Sequence, residues 1–299
     1  MTPDFYGARV ASGFSMACLM YLTSCAPAPR NHYVKTADAK IASVPLVPAV
    51  NRHDLNRSTT IALHAEYRNS SRLELPIRAV TERQPDPGGH LFRSRYNVKQ
   101  NPIGIGLEWR QSPHKVVDWF FTGSANADAA FRGAVLVGAG LTLPFPFANL
   151  RVAPAVGLHA YATRTEDSTI ARVTNIFSDS TYTDTLIYRQ EDRHSRVGTL
   201  RTLSVSLWPP NKPDRAWTPY LQYQAYWRAM SANDSDNWVP RKVIELRGHT
   251  LAIGLDYVLA KTFSVNTRLS RETVHNGFGS DAFYRVETGL GVRVPARAR

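Results

Sequence analysis

The chain has 299 residues, with 36 Lys and Arg against 24 Asp and Glu, and a net charge of +12. That length suits one large β domain or two ordinary ones, and the basic balance raises nucleic-acid binding as a reading to be tested against the rest of the sequence. Both cysteines, Cys18 and Cys25, lie near the N-terminus, which excludes a disulfide framework or a cysteine-rich metal site in the remaining residues.

The first segment, "ARVASGFSMACLMYLTSCAPAPR", has one Arg, an apolar run of about a dozen residues, and then Leu22-Thr23-Ser24-Cys25. A run this short fits a secretory signal and is too short to span a bilayer as a helix. Leu-Thr-Ser-Cys resembles the lipobox of bacterial lipoproteins, and the resemblance implies cleavage before Cys25 and acylation of that residue. Asp4 offsets Arg9 and weakens the basic start, so cleavage near Ala26-Pro27-Ala28 and an uncleaved N-terminus stand as alternatives. Residues 1–24 read as a signal peptide. Residues 25–58 read as a lipidated cysteine followed by an extended periplasmic tether, punctuated by Pro27, Pro29, Pro45 and Pro48.

From about residue 59 the apolar period is two. Ile61, Leu63, Ala65 and Tyr67 alternate with Ala62, His64, Glu66 and Arg68; Ile103, Ile105, Leu107 and Trp109 alternate with Gly104, Gly106, Glu108 and Arg110. The same alternation follows around Val117–Phe121, Val135–Leu143, Val152–Ala160 and Leu203–Leu207. It continues in Trp217–Trp227, Leu251–Leu259, Phe263–Leu269 and Tyr284–Val294. The fold class expected is all-β: an antiparallel up-and-down transmembrane β-barrel of about 10 strands, with 8 or 12 as the neighbouring even counts, over residues 59–299. Short links after the even strands, as at Ser112-Pro113-His114 and Pro209-Pro210-Asn211, alternate with longer ones at about 69–101, 165–195, 230–246 and 276–281, and the short link after the third strand, near Asn126-Ala127-Asp128, breaks the pattern. This places both barrel termini, and with them a lipid on Cys25, on the periplasmic side.

Trp217 and Trp227 stand ten residues apart on one face. At ~3.3 Å per residue and a tilt of ~40° they are separated by about 25 Å along the axis, the height of an outer-membrane apolar band. Trp109, Tyr257 and Phe263 fall at the level of Trp217, near short turns; Tyr284 falls near the long loops. These six are the expected membrane-interface aromatics. Residues 59–294 resemble small bacterial outer-membrane barrels in architecture alone, and the resemblance carries no functional residue. Two departures stand out: the chain ends "VRVPARAR" without a terminal aromatic, and Arg201 interrupts the apolar face of the sixth strand.

By parity the lumen receives Arg68, Arg110, Arg132, Arg151, Arg228, Arg268, Arg285 and Arg293 with Glu66, Glu108, Asp118, Asp256, Glu272 and Glu287. Ten strands enclose little more than their side chains, so these charges are expected to pair and plug the interior. Such an assignment, together with export, removes nucleic acid from the partners. His64 and His159 read as hydrogen-bonded interior residues. Asp192-Arg193-His194 superficially resembles the Asp-x-His element of the omptin proteases, which use acids and a His on the rim with water as nucleophile. Position 126 is Asn, however, where an acid paired with Asp128 is wanted, and the element precedes the sixth strand.

No catalytic group, metal site or cofactor is assigned. The function expected is an outer-membrane lipoprotein with a structural, anchoring or partner-binding role. Its partners are outer-membrane lipid and an envelope protein or glycan meeting loops 69–101 and 165–195. A narrow anion-favouring channel is the alternative, and an omptin-like surface hydrolase a further one.

Overall fold

β-branched and aromatic residues recur at every second position, and each such run is a strand. The structure, a computed structural model, describes residues 30–50, 58–69, 72–73, 91–100, 102–114, 116–126, 132–174, 182–210, 216–232, 242–260, 262–275 and 280–295. Its strands are β1 (Arg30–Ile41), β2 (Ser58–Arg68), β3 (Arg72–Leu73), β4 (Leu91–Gln100), β5 (Ile103–Ser112), β6 (Val117–Asn126) and β7 (Gly133–Pro144). The rest are β8 (Asn149–Thr174), β9 (Tyr182–Trp208), β10 (Trp217–Ala232), β11 (Lys242–Val258), β12 (Phe263–His275) and β13 (Ser280–Pro295). No helix occurs among the described residues.

Ten of these strands close into an antiparallel barrel in the order β2-β5-β6-β7-β8-β9-β10-β11-β12-β13, and β13 returns to pair with β2. Closure leaves neither a β2 nor a β13 edge unpaired: Val292 lies opposite Ile61, and Arg285 opposite Arg68. At one end lie Ser58, Pro295 and the links at residues 113–116, 145–148 and 259–262; at the other lie Arg68, Asn126, Ala232 and Ser280. These are called below the short-turn end and the long-loop end.

Apolar positions face out and polar ones face in, the reverse of a soluble barrel. Leu63 is 66% exposed and Val156 63%, whereas Asp118, Arg151, Glu272 and Arg285 are fully buried. Arg201 does lie on the outer face, directly opposite Trp227, whose other neighbour is Arg247. That row of Arg, Trp and Arg bounds the apolar belt toward the long loops, and Trp217 opposite Tyr257 bounds it toward the short turns.

Contacts divide the chain into two units. The larger comprises Thr36–Val80, Ser94–Glu166 and Glu191–Arg299, and it holds the barrel; the smaller comprises Met1–Lys35, Thr81–Arg93 and Asp167–Gln190, and all of its described residues are in strands. The region 165–195, read from sequence as a long loop, is largely the continuation of β8 and β9, which run for 26 and 27 residues.

The larger departure from the sequence reading is the tether. Residues 39–50, apart from exposed Lys40, are buried inside the barrel rather than extended on its periplasmic side. The lumen is filled by the chain's own N-terminal segment as well as by paired charge.

Candidate functional site

The segment "ASVPLVPAV" at 42–50 has small and branched side chains and two prolines, and the barrel wall supplies what its backbone needs. Asn126 at the end of β6 donates to the Ile41 carbonyl at 3.2 Å, Ser124 to that of Ser43 at 2.8 Å, and Thr122 to that of Leu46 at 3.4 Å. From β10, Arg228 donates to the Ala42 carbonyl at 2.9 Å, Gln224 to Pro45 at 3.0 Å and Gln222 to Val47 at 2.7 Å. Arg285 of β13 takes Val44 at 3.0 Å, Arg151 of β8 takes Pro48, and Arg110 of β5 takes Val50. Every carbonyl from 41 to 48 therefore accepts a bond from the wall. Lumen side chains rich in Arg, Gln, Asn and Ser offer more donors than acceptors, and prolines at 45 and 48 suit such a wall because they carry no N–H to satisfy. Gln224 completes a two-way clamp, its Oε1 accepting from the Val47 N–H at 2.9 Å.

The side chains of the segment pack too. Ala39, Ile41, Ala42, Val44 and Val47 share a cluster with Phe120, Leu136, Tyr226, Met230 and Phe283, while Ala49 and Val50 pack on Trp208 and Tyr220.

Around the segment runs the charge network. Asp118 and Arg151 form a two-pronged pair at 3.0 and 2.6 Å, with the Arg151 guanidinium 5.2 Å from the Phe120 ring. Arg285 reaches Glu287 at 3.0 Å, Glu66 at 3.6 Å and Glu272 at 4.0 Å; Arg268 pairs with Glu287, and Arg68 with Glu66 at 2.9 Å. Arg293 meets Asp256 at 3.3 Å, and His64 meets Glu108 at 3.5 Å. Glu66 also accepts from the Ser43 hydroxyl, which ties the network to the threaded segment. Among the described residues eight buried Arg face six buried acids, and the surplus is used on carbonyls: the Arg110 and Arg228 bonds above go to the segment rather than to a carboxylate.

Close packing of the wall is visible where β10 faces β11. Tyr226 lies opposite Gly248 and Tyr220 opposite Gly254. Each phenol crosses over the glycine to the next strand, Tyr226 to Glu272 at 2.7 Å and Tyr220 to Asn266 at 3.0 Å. A Cβ on either glycine would collide with the tyrosine ring, so these positions need glycine for a close approach. At the short-turn end a cavity of about 40 Å³ remains, lined among others by His64, Glu108, Arg110, Asp256, Arg268 and Arg293, with room for one or two waters.

All ten charged residues expected in the lumen from sequence, Glu66, Arg68, Glu108, Arg110, Asp118, Arg228, Asp256, Arg268, Arg285 and Glu287, are buried there. Of the expected interface aromatics, Trp217, Trp227, Tyr257, Phe263 and Tyr284 are exposed on the outer face, and Trp109 is half-buried. Cys25 and Asp128 lie outside the described residues, as do the side chains of Asp192 and His194. No group of metal-ligating residues occurs among the described residues. Sequence reasoning missed Asn126, Ser124, Gln222 and Gln224 as a cradle. The signal was the apolar run at 41–50, out of character for a solvated tether.

Beyond Leu158 and Arg201, β8 and β9 carry an exposed cluster. Glu191 accepts from Arg164 at 2.6 Å and from Arg193 at 2.9 Å, and the Arg164 guanidinium, with Arg193 second, holds the Glu191 carboxyl below the usual carboxylate range.

No protein-family model matches the chain, and no curated protein does. Among solved structures it is similar to the N-terminal β-barrel domain of Pseudomonas aeruginosa OprF, at 10% identity and a TM-score of 0.30, over 81% of this chain and 100% of that one. The outer membrane protease OmpT from Escherichia coli aligns at 10% identity and a TM-score of 0.41, over 80% and 97% of the two chains. LpxR from Salmonella typhimurium aligns at 8% identity and a TM-score of 0.32, over 78% and 99%. At these values none of them assigns a role to a residue of this chain.

Proposed function

We propose that this protein is a sealed outer-membrane β-barrel of a bacterial envelope, exported by residues 1–24, acylated on Cys25, and serving as an anchor or partner-binding platform. The observation that carries the reading is the occupied lumen. Carbonyls 41–48 are all bonded to the wall, so the interior is built to hold a chain rather than to pass solute. The apolar outer belt, bounded by Trp217 and Trp227, supports the membrane assignment. Function then falls to the parts beyond the belt. The regions 69–101 and 165–195 are the candidate surfaces for an envelope protein or glycan.

A second reading is an anion-favouring channel, and the surplus of buried Arg over buried acids favours it. It requires residues 39–50 to leave the lumen.

The test is a gel of the detergent-extracted membrane fraction from cells grown with radiolabelled palmitate, with bilayer conductance of the purified protein. A band that shifts on boiling, carries label and gives no current steps is the expected result. Stable anion-selective steps from the intact chain would overturn the sealed reading in favour of the channel. An unshifted soluble protein would overturn the membrane assignment.

A further inference from the structure

The direction of the threaded segment has a topological consequence. On β6, which descends from the long-loop end as residue number falls, Asn126, Ser124 and Thr122 hold carbonyls 41, 43 and 46 in that order. On β10, which descends the same way, Arg228, Gln224 and Gln222 hold 42, 45 and 47. Arg151, third residue of β8 from the short-turn end, holds 48; Arg110, near the same end of β5, holds 50. Four strands thus give one ordering: residue 41 lies at the long-loop end, residue 50 at the short-turn end, and β2 then starts at the short-turn end with Ser58.

We infer that residues 39–50 are an additional crossing of the membrane, so that the chain before residue 39 leaves the barrel on the long-loop side, the cell exterior if the short turns face the periplasm. This rests on the membrane assignment proposed above and reverses the side expected from sequence. A return to the short-turn side would need a second path through a lumen already filled between Asn126 and Arg110. From Ile41 back to Arg30 the chain is strand β1, hydrogen-bonded to β8 and β4, so the segment passes directly into paired strand where it leaves the lumen. The protein would then be a barrel that carries its own N-terminal segment to the surface and fixes it there.

Cysteine substitutions at three exposed positions test this in whole cells: Lys40→Cys at the start of the segment, Ala282→Cys at the long-loop end and Ala260→Cys in a short turn. Each is treated with a membrane-impermeant maleimide before and after the outer membrane is permeabilised, and label is read as the gain over the unsubstituted protein. Lys40→Cys is expected to label together with Ala282→Cys on intact cells, while Ala260→Cys labels only after permeabilisation. Should Lys40→Cys follow Ala260→Cys instead, with Ala282→Cys on the other side, the crossing is wrong and the membrane barrel stands. Equal labelling of all three in a soluble fraction removes the membrane assignment itself, and the crossing with it.

Discussion

The Ser124 hydroxyl donates to the carbonyl of Ser43 at 2.8 Å, across 81 positions of sequence and between a barrel strand and the segment it encloses. Gln224 does the same work twice, to Pro45 and from Val47. A buried backbone group left without its partner costs about 1–3 kcal/mol. Ser124→Ala strands one such group and Gln224→Ala strands two, so the second substitution is expected to lower stability about twice as much as the first. Urea unfolding of the detergent-solubilised barrel, followed by the folded and unfolded gel bands, measures both. Equal stability of Gln224→Ala and the parent would show that the segment is not held by the wall.

Removing the segment should open what it fills. A chain lacking residues 39–50 keeps all ten barrel strands, and among the described residues its lumen retains eight buried Arg against six acids. Current steps with anion selectivity are expected from this variant in planar bilayers, and none from the full chain. Their absence from the shortened chain would mean that the charge network alone closes the lumen.

Much of this was legible in sequence, because alternation carries the fold: the parity of Glu66, Arg68, Asp118 and Glu287 fixes which face each occupies. The threaded segment was not, since a chain inside a barrel makes no periodic pattern. It contacts several strands in turn, and Pro45 and Pro48 look the same in a tether as in a lumen. Nor does any local signal distinguish a Gln that pairs with solvent from Gln222 or Gln224, whose partners lie 175 and 179 positions away. Strand ends were also underestimated. β8 and β9 continue past the apolar belt, where the apolar residues, such as Ile170, Val173, Leu186 and Ile187, no longer recur at every second position and the alternation used to find strands fades.

The glycine opposite Tyr226 gives a packing prediction. In Gly248→Ala the new methyl meets the Tyr226 ring, which is held by its bond to Glu272 and is fully enclosed. Overpacking of this kind costs about 1–3 kcal/mol. Combining Gly248→Ala with Tyr226→Ala should cost less than the sum of the two changes, since the collision disappears with the ring. A double-mutant cycle in urea measures the coupling, and simple additivity would place the ring elsewhere.

Position within the network decides what an ion pair contributes. Asp118→Asn leaves Arg151 charged and buried without its carboxylate, with one acceptor oxygen of the pair lost and the bond to a carbonyl of the segment kept, and breaking a buried pair this way costs about 3–5 kcal/mol. Replacing both partners with apolar residues of similar volume should recover most of that loss. A double variant as unstable as Asp118→Asn would contradict the account.

On the exposed part of β8 and β9 the relevant quantity is a titration. Glu191 has its carboxyl lowered from 4.5, first by its bond to Arg164 and then by Arg193. Because the folded value is the depressed one, any stabilisation from this cluster is fully present above the unfolded carboxylate pKa. It is lost as pH falls through the folded value, so nothing should change between pH 6 and 8, roughly the neutral range. The Glu191 carboxyl carbon shift, followed by NMR in micelles, should titrate below 4.5 in the parent. Arg164→Ala should raise that midpoint more than Arg193→Ala does, in the order of their contributions. The effect should shrink in high salt, because all three side chains are open to solvent. A midpoint unmoved by Arg164→Ala would mean that the pair is not formed in solution, and that this end of the two strands is held by its backbone ladder alone.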